Sequence, residues 1–267
     1  MKKLLRQCLP APIVTAWRAL RDAAGRYAAT LQSSERIFTA IYRQNQWGGS
    51  AGVICSGGGS ADPLIMDQYL GMLRHHALLA AYHEAAFVDL GCGDMLIGQH
   101  LIPLCRSYLG VDIVKFLIVR HQAQLGSAAV RFMHLDIINN ELPPGDVCFL
   151  RQVLQHLSNK QILKILPKLK QYKYVYITEH VPTVAAAGRP NLDKPHGKGI
   201  RLDRNSGVDL TAAPFGLPSN QVTVLLEVAG NAHGGDSDPG LIRTVLYSPG
   251  AAPVYPDWLI PNQTMPT

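Results

Sequence analysis

Residues Ala86–Asp94 read AFVDLGCGD, and this stretch decides the fold. AFVDL (Ala86–Leu90) is a short, nearly continuous apolar run, the pattern of a strand buried on both faces. Gly91-Cys92-Gly93-Asp94 breaks the run with turn residues, and a helical pattern follows from Met95 to about Arg106. Strand, glycine turn and helix open a βα unit. Working outward, the alternation continues through YLGVDI (Tyr108–Ile113), a helix to about Leu125, VRFMHLDI (Val130–Ile137), DVCFL (Asp146–Leu150), a helix over Asn159–Lys170 and YVYITEH (Tyr174–His180). Such alternation implies a parallel sheet covered on both faces, with the carboxyl ends of the strands along one ligand-binding edge. Two more strands, Gln221–Gly230 and Gly240–Pro249, are separated by only nine residues. That is too short for a helical crossover, so they pair antiparallel. The expected fold is α/β, a seven-stranded, mostly parallel sheet with an antiparallel final strand and an N-terminal helical cap.

The chain has 267 residues, 47% hydrophobic and 16% charged. That composition supplies a sizeable core and excludes wholesale disorder. No uncharged apolar run reaches the roughly 18–20 residues of a membrane span. The expected organisation is a basic N-terminal helical arm or cap with a Gly/Ser loop over 1–80, a main domain over 81–250 and a tail over 251–267 that Trp258 anchors. A Gly-, Pro-, Asp- and Asn-rich stretch at 181–220 interrupts the main domain and reads as a substrate-facing inserted loop. Upstream, Ile37, Phe38, Ile41 and Tyr42 form a helical stripe that ends near Trp47-Gly48-Gly49, and Leu64–Tyr82 reads as another helix. The five cysteines include no CxxC pair. They suit a reducing compartment, and a cytoplasmic location is expected.

Residues 1–47 hold eight basic and two acidic side chains, a balance of +6 that equals the net charge of the whole chain. The remainder is neutral. A basic arm can meet anionic lipid, nucleic acid or an acidic partner. Pro10 and Pro12 interrupt the apolar start, so it reads as a mature helix and not as an export signal. Its stripe (Ile13, Trp17, Leu20, Ala24, Tyr27, Leu31) fits packing on the domain or on a partner chain better than a membrane surface. Peripheral membrane contact and a homo-oligomer both stay open.

Three acids end the first three strands: Asp89, Asp112 and Asp136. Gly91 and Gly93 let the backbone approach a ligand, and Asp112 lies 23 residues after Asp89, where a carboxylate can accept from ribose hydroxyls. A nucleoside-containing cofactor across the strand ends is expected. A dinucleotide fingerprint would place a third glycine where Leu96 stands, no P-loop motif occurs, and Asp94 would set a negative charge beside a pyrophosphate. A cofactor without phosphate, carrying ammonium and sulfonium groups, fits better: S-adenosylmethionine. Asp94 is also a candidate N-cap for a helix beginning at Met95. Cys92 reads as a small buried filler.

VDLGCGD (Val88–Asp94), GVDI (Gly110–Ile113) and HLDI (His134–Ile137) resemble the cofactor motifs of Rossmann-like S-adenosylmethionine-dependent methyltransferases, over about residues 80–250. IYRQNQWGG (Ile41–Gly49), CSGGGS (Cys55–Ser60) and FLRQVLQHL (Phe149–Leu157) are similar to segments of a bacterial group associated with glycan and surface-polysaccharide synthesis. That group commonly reads C-R-D-x-x-x-H-L at the last segment; Arg151 and His156 match, and Gln152 replaces the acid. The resemblance implies Asp89, Gly91 and Gly93 at the methionine end and Asp112 on the ribose. It implies Asp136 on the adenine amino group, with Ile113 and Ile137 against the base. Arg151 and Gln152 would lie beneath the methionine portion, and Ser56, Gly57 and Ser60 would close over the cofactor.

The implied activity is methyl transfer to a hydroxyl of a sugar, glycan or small molecule. Candidate bases are His156, whose unperturbed pKa is near 6.5, and Glu179 and His180 at the end of the fifth strand. His75, His76 and His83 lack the i, i+4 spacing of metal ligands, and no metal site is expected. A nucleic-acid methyltransferase is disfavoured by the neutral main body, and a non-catalytic cofactor-binding scaffold stands as the other alternative. A nicotinamide dehydrogenase is disfavoured by the absent third glycine.

Overall fold

The computed structural model of the chain describes residues 33–49, 53–57, 62–75, 83–230 and 240–250. The stripe from Ile13 to Leu31, the loop residues 58–61 with Ser60, the far end of the helix expected to reach Tyr82, and the tail with Trp258 lie outside the described residues.

Helix α1 (Ser34–Arg43) starts where the Ser33 hydroxyl accepts the Arg36 N–H, carries Glu35 in its first turn and Arg43 in its last, and buries Phe38 and Ile41. Helix α2 (Pro63–His75) opens on a proline, and the Asp62 carboxylate accepts from Leu64 N–H at 2.8 Å. The βα units follow: β1 (Ala86–Leu90), α3 (Gly98–Leu101), β2 (Ser107–Asp112), α4 (Lys115–Leu125), β3 (Val130–His134), β4 (Val147–Arg151), α5 (Asn159–Ile165) and β5 (Tyr174–Val181). After the insertion come β6 (Val222–Ala229) and β7 (Leu241–Tyr247). The sheet order is β3-β2-β1-β4-β5-β7-β6. The first five strands pair in parallel, and β7 runs antiparallel to both β5 and β6. The expected seven-stranded architecture is the one observed. No helix among the described residues is long and apolar enough to cross a membrane.

Alternation along the strands sends side chains to two cores. Val88, Leu90, Cys148, Leu150, Val175 and Ile177 join the core under α1, α4 and α5. Phe87, Phe149, Tyr176 and Leu246 join the other with Tyr69 and Leu73 of α2. Phe149 stacks on Tyr176 at 5.2 Å and meets Phe87 at 4.9 Å. Each such side chain contributes about 1.5–3 kcal/mol of burial.

Three sequence boundaries are corrected. The helix expected from Met95 to Arg106 reduces to α3 and a 3-10 turn at Ile102–Leu104, because Met95 has a positive φ of 66° and Pro103 lacks an N–H. The helix expected over Asn159–Lys170 is α-helical to Ile165 and then tightens into a 3-10 stretch at Leu166–Gln171, where Pro167 removes a donor. Strand β3 ends at His134, so Asp136 stands in the loop beyond it.

Candidate active site

The turn after β1 is tied to β2. Gly91 N–H and Cys92 N–H both donate to Val111 O, at 2.7 and 3.0 Å. Gly91 (φ 79°) and Gly93 (φ 55°) occupy the left-handed region. A Cβ on Gly91 would lie 2.5 Å from Val153 Cγ2, and one on Gly93 would lie 2.6 Å from Ser56 Oγ. The turn therefore passes between two neighbours that leave room only for bare backbone.

Asp112, at the end of β2, braces this turn. Its carboxylate accepts Gly93 N–H at 3.1 Å and Val114 N–H at 2.8 Å. Burial pushes its pKa up, against those hydrogen bonds. Asp89 is buried and accepts the Tyr108 hydroxyl at 2.6 Å, and desolvation pushes it up to about 6. Asp136 accepts Ile138 N–H at 2.8 Å and the Asn139 side-chain amide at 2.7 Å. The three carboxylates stand at or just beyond the carboxyl ends of adjacent strands and line one cavity with about 1030 Å³ of empty space, counted to its open mouth. Gly91, Gly93, Asp94, Ile113, Ile137, Arg151, Gln152 and Ser56 line it too. The structure thus brings together nearly all the predicted cofactor residues. Gly57 is not part of the lining.

Asp94 Oδ1 accepts Leu96 N–H at 3.0 Å, the local bond of a helix cap, but no α-helix begins at Met95. The N-cap of α3 is Ile97. Asp94 Oδ2 accepts Ser56 N–H at 2.7 Å, Ser56 Oγ accepts Asp94 N–H at 2.9 Å, and the Tyr42 and Ser56 hydroxyls lie 2.8 Å apart. These bonds latch the 53–57 segment across the rim. Arg151, at the end of β4, sits over the Tyr69 ring at 5.2 Å in the field of Asp94 and Asp89. It is the one Lys or Arg among the described residues lining the cavity.

The catalytic candidates fare differently. His156 lines the cavity, with its ring 4.8 Å from Trp47. Its Nδ1 lies 3.2 Å from Gly197 O, so that nitrogen carries the hydrogen and donates, and Nε2 faces the Gln155 amide at 3.4 Å. Burial, with Lys194 nearby, pushes its pKa down to about 3. A ring so depressed is a weak base, and its geometry is that of a wall. Glu179 and His180 are not brought to the cavity. The Glu179 carboxylate accepts Leu154 N–H at 2.9 Å and Gln155 N–H at 2.8 Å, and desolvation pushes it up to about 8. His180 is turned toward the start of β7, where a Cβ on Gly240 would meet its Nε2 at 2.6 Å. Neither lines the cavity of the strand-end carboxylates, and Glu179 borders a separate one beside β6 and β7. Among the described residues no cluster of His, Cys, Asp or Glu is placed to hold a metal ion.

Sequence reasoning missed Ser34, Phe38, Tyr42, Trp47 and Tyr69 as lining residues, and His121, whose Nε2 lies 2.8 Å from Gly93 O. The helical stripe of α1 was legible, but spacing alone assigns such a stripe to the core. Phe38 and Tyr42 do both, packing around Trp47 at centroid distances of 6.1 and 5.1 Å.

No family model matches the chain. Over 74 residues it is 31% identical to a protein of Mycobacterium tuberculosis (strain ATCC 25618 / H37Rv) named uncharacterized methyltransferase Rv0089, a stretch that makes up 27% of this chain. The chain spans 38% of the length of that relative. Among solved structures it is similar to Burkholderia thailandensis 1,6-didemethyltoxoflavin-N1-methyltransferase, which was crystallised with 1,6-didemethyltoxoflavin and S-adenosylhomocysteine. The TM-score is 0.51 at 18% identity, over 83% of this chain and 89% of that one. It also resembles the N-methyltransferase NodS of Bradyrhizobium japonicum WM9 at a TM-score of 0.49 and 14% identity, over 70% of this chain and 89% of that one. At 18% identity the likeness to the Burkholderia enzyme is one of fold: a Rossmann-like sheet of the methyltransferase type.

Proposed function

We propose that this chain transfers the methyl group of S-adenosylmethionine to an oxygen of a neutral acceptor, a hydroxyl on a sugar, glycan or ring-bearing small molecule. One observation carries the reading. Four carboxylates, Asp89, Asp94, Asp112 and Asp136, and one cation, Arg151, surround a single cavity at the strand ends. That charge set suits a ligand with an ammonium, a sulfonium and one carboxylate, and it repels a pyrophosphate. The glycine turn leaves bare backbone at the point of closest approach, so the residues present fit the cofactor. Asp112 would hold the ribose and Asp136 the adenine edge, with Ile113 and Ile137 against the base. Asp89 and Arg151 would face the amino-acid end. The 74-residue likeness to a protein named a methyltransferase supports the same reading.

When bound, the cofactor supplies an electrophilic methyl carbon on a positively charged sulfur. The protein's own contribution is positional. The Tyr42–Ser56–Asp94 latch holds the 53–57 segment across the rim of the cavity. Elsewhere in the lining, Ser34, Phe38, Trp47, His156 and Leu157 present no ionised group, which favours an uncharged acceptor. With His156 held neutral, rate would come from alignment of the acceptor oxygen, and the hydroxyl proton would leave to solvent at the mouth.

The test is a calorimetric titration of the full chain with S-adenosylhomocysteine, beside Asp112→Asn and with NADH as control. Saturable binding, no heat with NADH and about a 10–100-fold weaker Kd for Asp112→Asn are expected from the loss of a charged hydrogen-bond acceptor. A folded protein that ignores S-adenosylhomocysteine would overturn the proposal. Uncharged sugars and small aromatic alcohols then head the acceptor screen.

A further inference from the structure

Arg201 is the largest fully buried side chain among the described residues, with 1% of its surface exposed. It lies in the insertion, yet its guanidinium reaches back to the segment that follows β4. Nε donates to Leu192 O at 2.9 Å, and Nη2 donates to Leu157 O at 2.8 Å and Asn159 Oδ1 at 2.9 Å. Nη1 donates to Leu154 O at 3.4 Å and Gln155 O at 3.3 Å. Glu179 takes the N–H groups of the same Leu154–Gln155 turn. A buried cation and a buried carboxylate therefore grip one turn, the first by its carbonyls and the second by its amides.

That turn carries His156, and the insertion surrounds it. Gly197 N–H donates to His156 O at 3.0 Å, Lys194 Nζ donates to the same oxygen at 3.2 Å, and Gly197 O accepts from His156 Nδ1. Asp193 Oδ1 accepts Asn159 N–H at 2.7 Å, and Asn191 O accepts the Asn159 amide at 2.7 Å. Trp47 Nε1 donates to Lys198 O at 3.2 Å. Both rings of the Trp47–His156 pair are thus hydrogen-bonded to residues 197–198. By contrast, the hydrogen bonds described above for Asp89, Asp112 and Asp136 all run within the β1–β3 side.

We propose that Arg201 is a positioning residue for the acceptor side of the cavity: it locks residues 191–201 of the insertion onto the turn after β4 and so fixes the Trp47–His156 wall, with Glu179 as its counterpart. The assignment of that wall to the acceptor rests on the proposed methyl transfer; the mechanical link does not. Only a guanidinium presents donors in a rigid fork wide enough for four carbonyls and an amide oxygen at once. The insertion is on this reading a fixed part of the wall.

The protein has three tryptophans, Trp17, Trp47 and Trp258. Trp17→Phe with Trp258→Phe leaves Trp47 as the sole emitter. In that background Arg201→Lys and Arg201→Met are compared for Trp47 emission, acrylamide quenching and S-adenosylhomocysteine affinity by calorimetry. Expected are a cofactor-product Kd within about twofold of the parent and a Trp47 quenching constant at least about twofold higher in Arg201→Met, with Arg201→Lys between, since a lysine restores some of the charged hydrogen bonds. Unchanged Trp47 quenching in the folded variants overturns the proposal. So does a loss of cofactor-product affinity equal to the loss of wall order. Should Arg201→Met fail to fold, Arg201→Lys decides alone. Should the parent itself not bind S-adenosylhomocysteine, the methyl-transfer reading fails, and the quenching comparison still decides the clamp.

Discussion

Gly93→Ala places one methyl group at the cavity rim, between Ser56 and Tyr42. At φ 55° an alanine adopts the left-handed conformation at a cost of about 1–2 kcal/mol. Its Cβ would stand 2.6 Å from Ser56 Oγ and 3.1 Å from Tyr42 Oη. Neither oxygen is a free side-chain end. Ser56 Oγ accepts Asp94 N–H and meets the Tyr42 hydroxyl, so its retreat breaks at least one of those bonds, at about 0.5–1.5 kcal/mol each. The sum is roughly 2–4 kcal/mol, which lowers Tm by roughly 5–15 °C for a domain of this size. The latch belongs to the cavity, so S-adenosylhomocysteine affinity should fall by about tenfold or more in calorimetry. A double-mutant cycle with Ser56→Gly isolates the cause, because removing the hydroxyl first removes the clash. The second change should then cost at least about 1 kcal/mol less than it does alone. Additive losses, or a Gly93→Ala protein that melts and binds like its parent, would refute the reasoning.

Two further outcomes follow from buried ionisable groups. Tyr108→Phe removes the hydroxyl that Asp89 accepts at 2.6 Å and leaves a buried carboxylate without that donor. A loss of about 1.5–3 kcal/mol is expected in chemical denaturation, and an unchanged midpoint would show that Asp89 is satisfied elsewhere. The pH dependence has two limbs. Glu179 is raised from 4.5 to about 8, so between those values the native state binds more protons than the unfolded chain, and stability falls as pH rises. His156 is lowered from 6.5 to about 3, so between those values the native state binds fewer protons, and stability falls as pH drops. Melting across pH 4–9 should show Glu179→Gln flattening the alkaline limb and His156→Phe the acidic one. Parallel profiles for variants and parent would contradict both assignments.

The sheet and the cofactor half of the cavity were legible because they rest on local patterns. Apolar runs mark the strands, glycines mark the turn, and acids at strand ends mark an edge that parallel topology brings together. Asp89, Asp112 and Asp136 could be aligned before any contact was known. The acceptor half was not legible, for three physical reasons. Phe38 and Tyr42 lie on a stripe that packs inward in any amphipathic helix, and nothing in the spacing says that a cavity lies there. Glu179 and His180 end a strand as expected, but alternation and neighbouring segments decide what each meets, and Glu179 meets the amides of a turn 25 residues earlier. Arg201 sits among glycines, prolines and acids that resemble any solvated loop. Its burial depends on carbonyls more than 40 residues upstream.

Because β7 lies between β5 and β6, the sheet cannot close in the order in which it is translated. Strand β5 pairs with β4 on one edge but reaches its partner on the other only when residues 241–247 have left the ribosome. At roughly 5–20 residues per second, the 59 residues between Val181 and Leu241 take about 3–12 s to emerge. Hydrophobic collapse is complete within about 100 μs. For those seconds the nascent chain carries an open edge in β5, seven of whose eight residues end up buried. An unpaired edge of that kind recruits other strands. The insertion and β6 emerge first, so whatever shields β5 during synthesis must be a transient contact within them or a chaperone. Codons slowed between residues 182 and 240 would lengthen the exposure and lower the soluble yield without changing a single native contact.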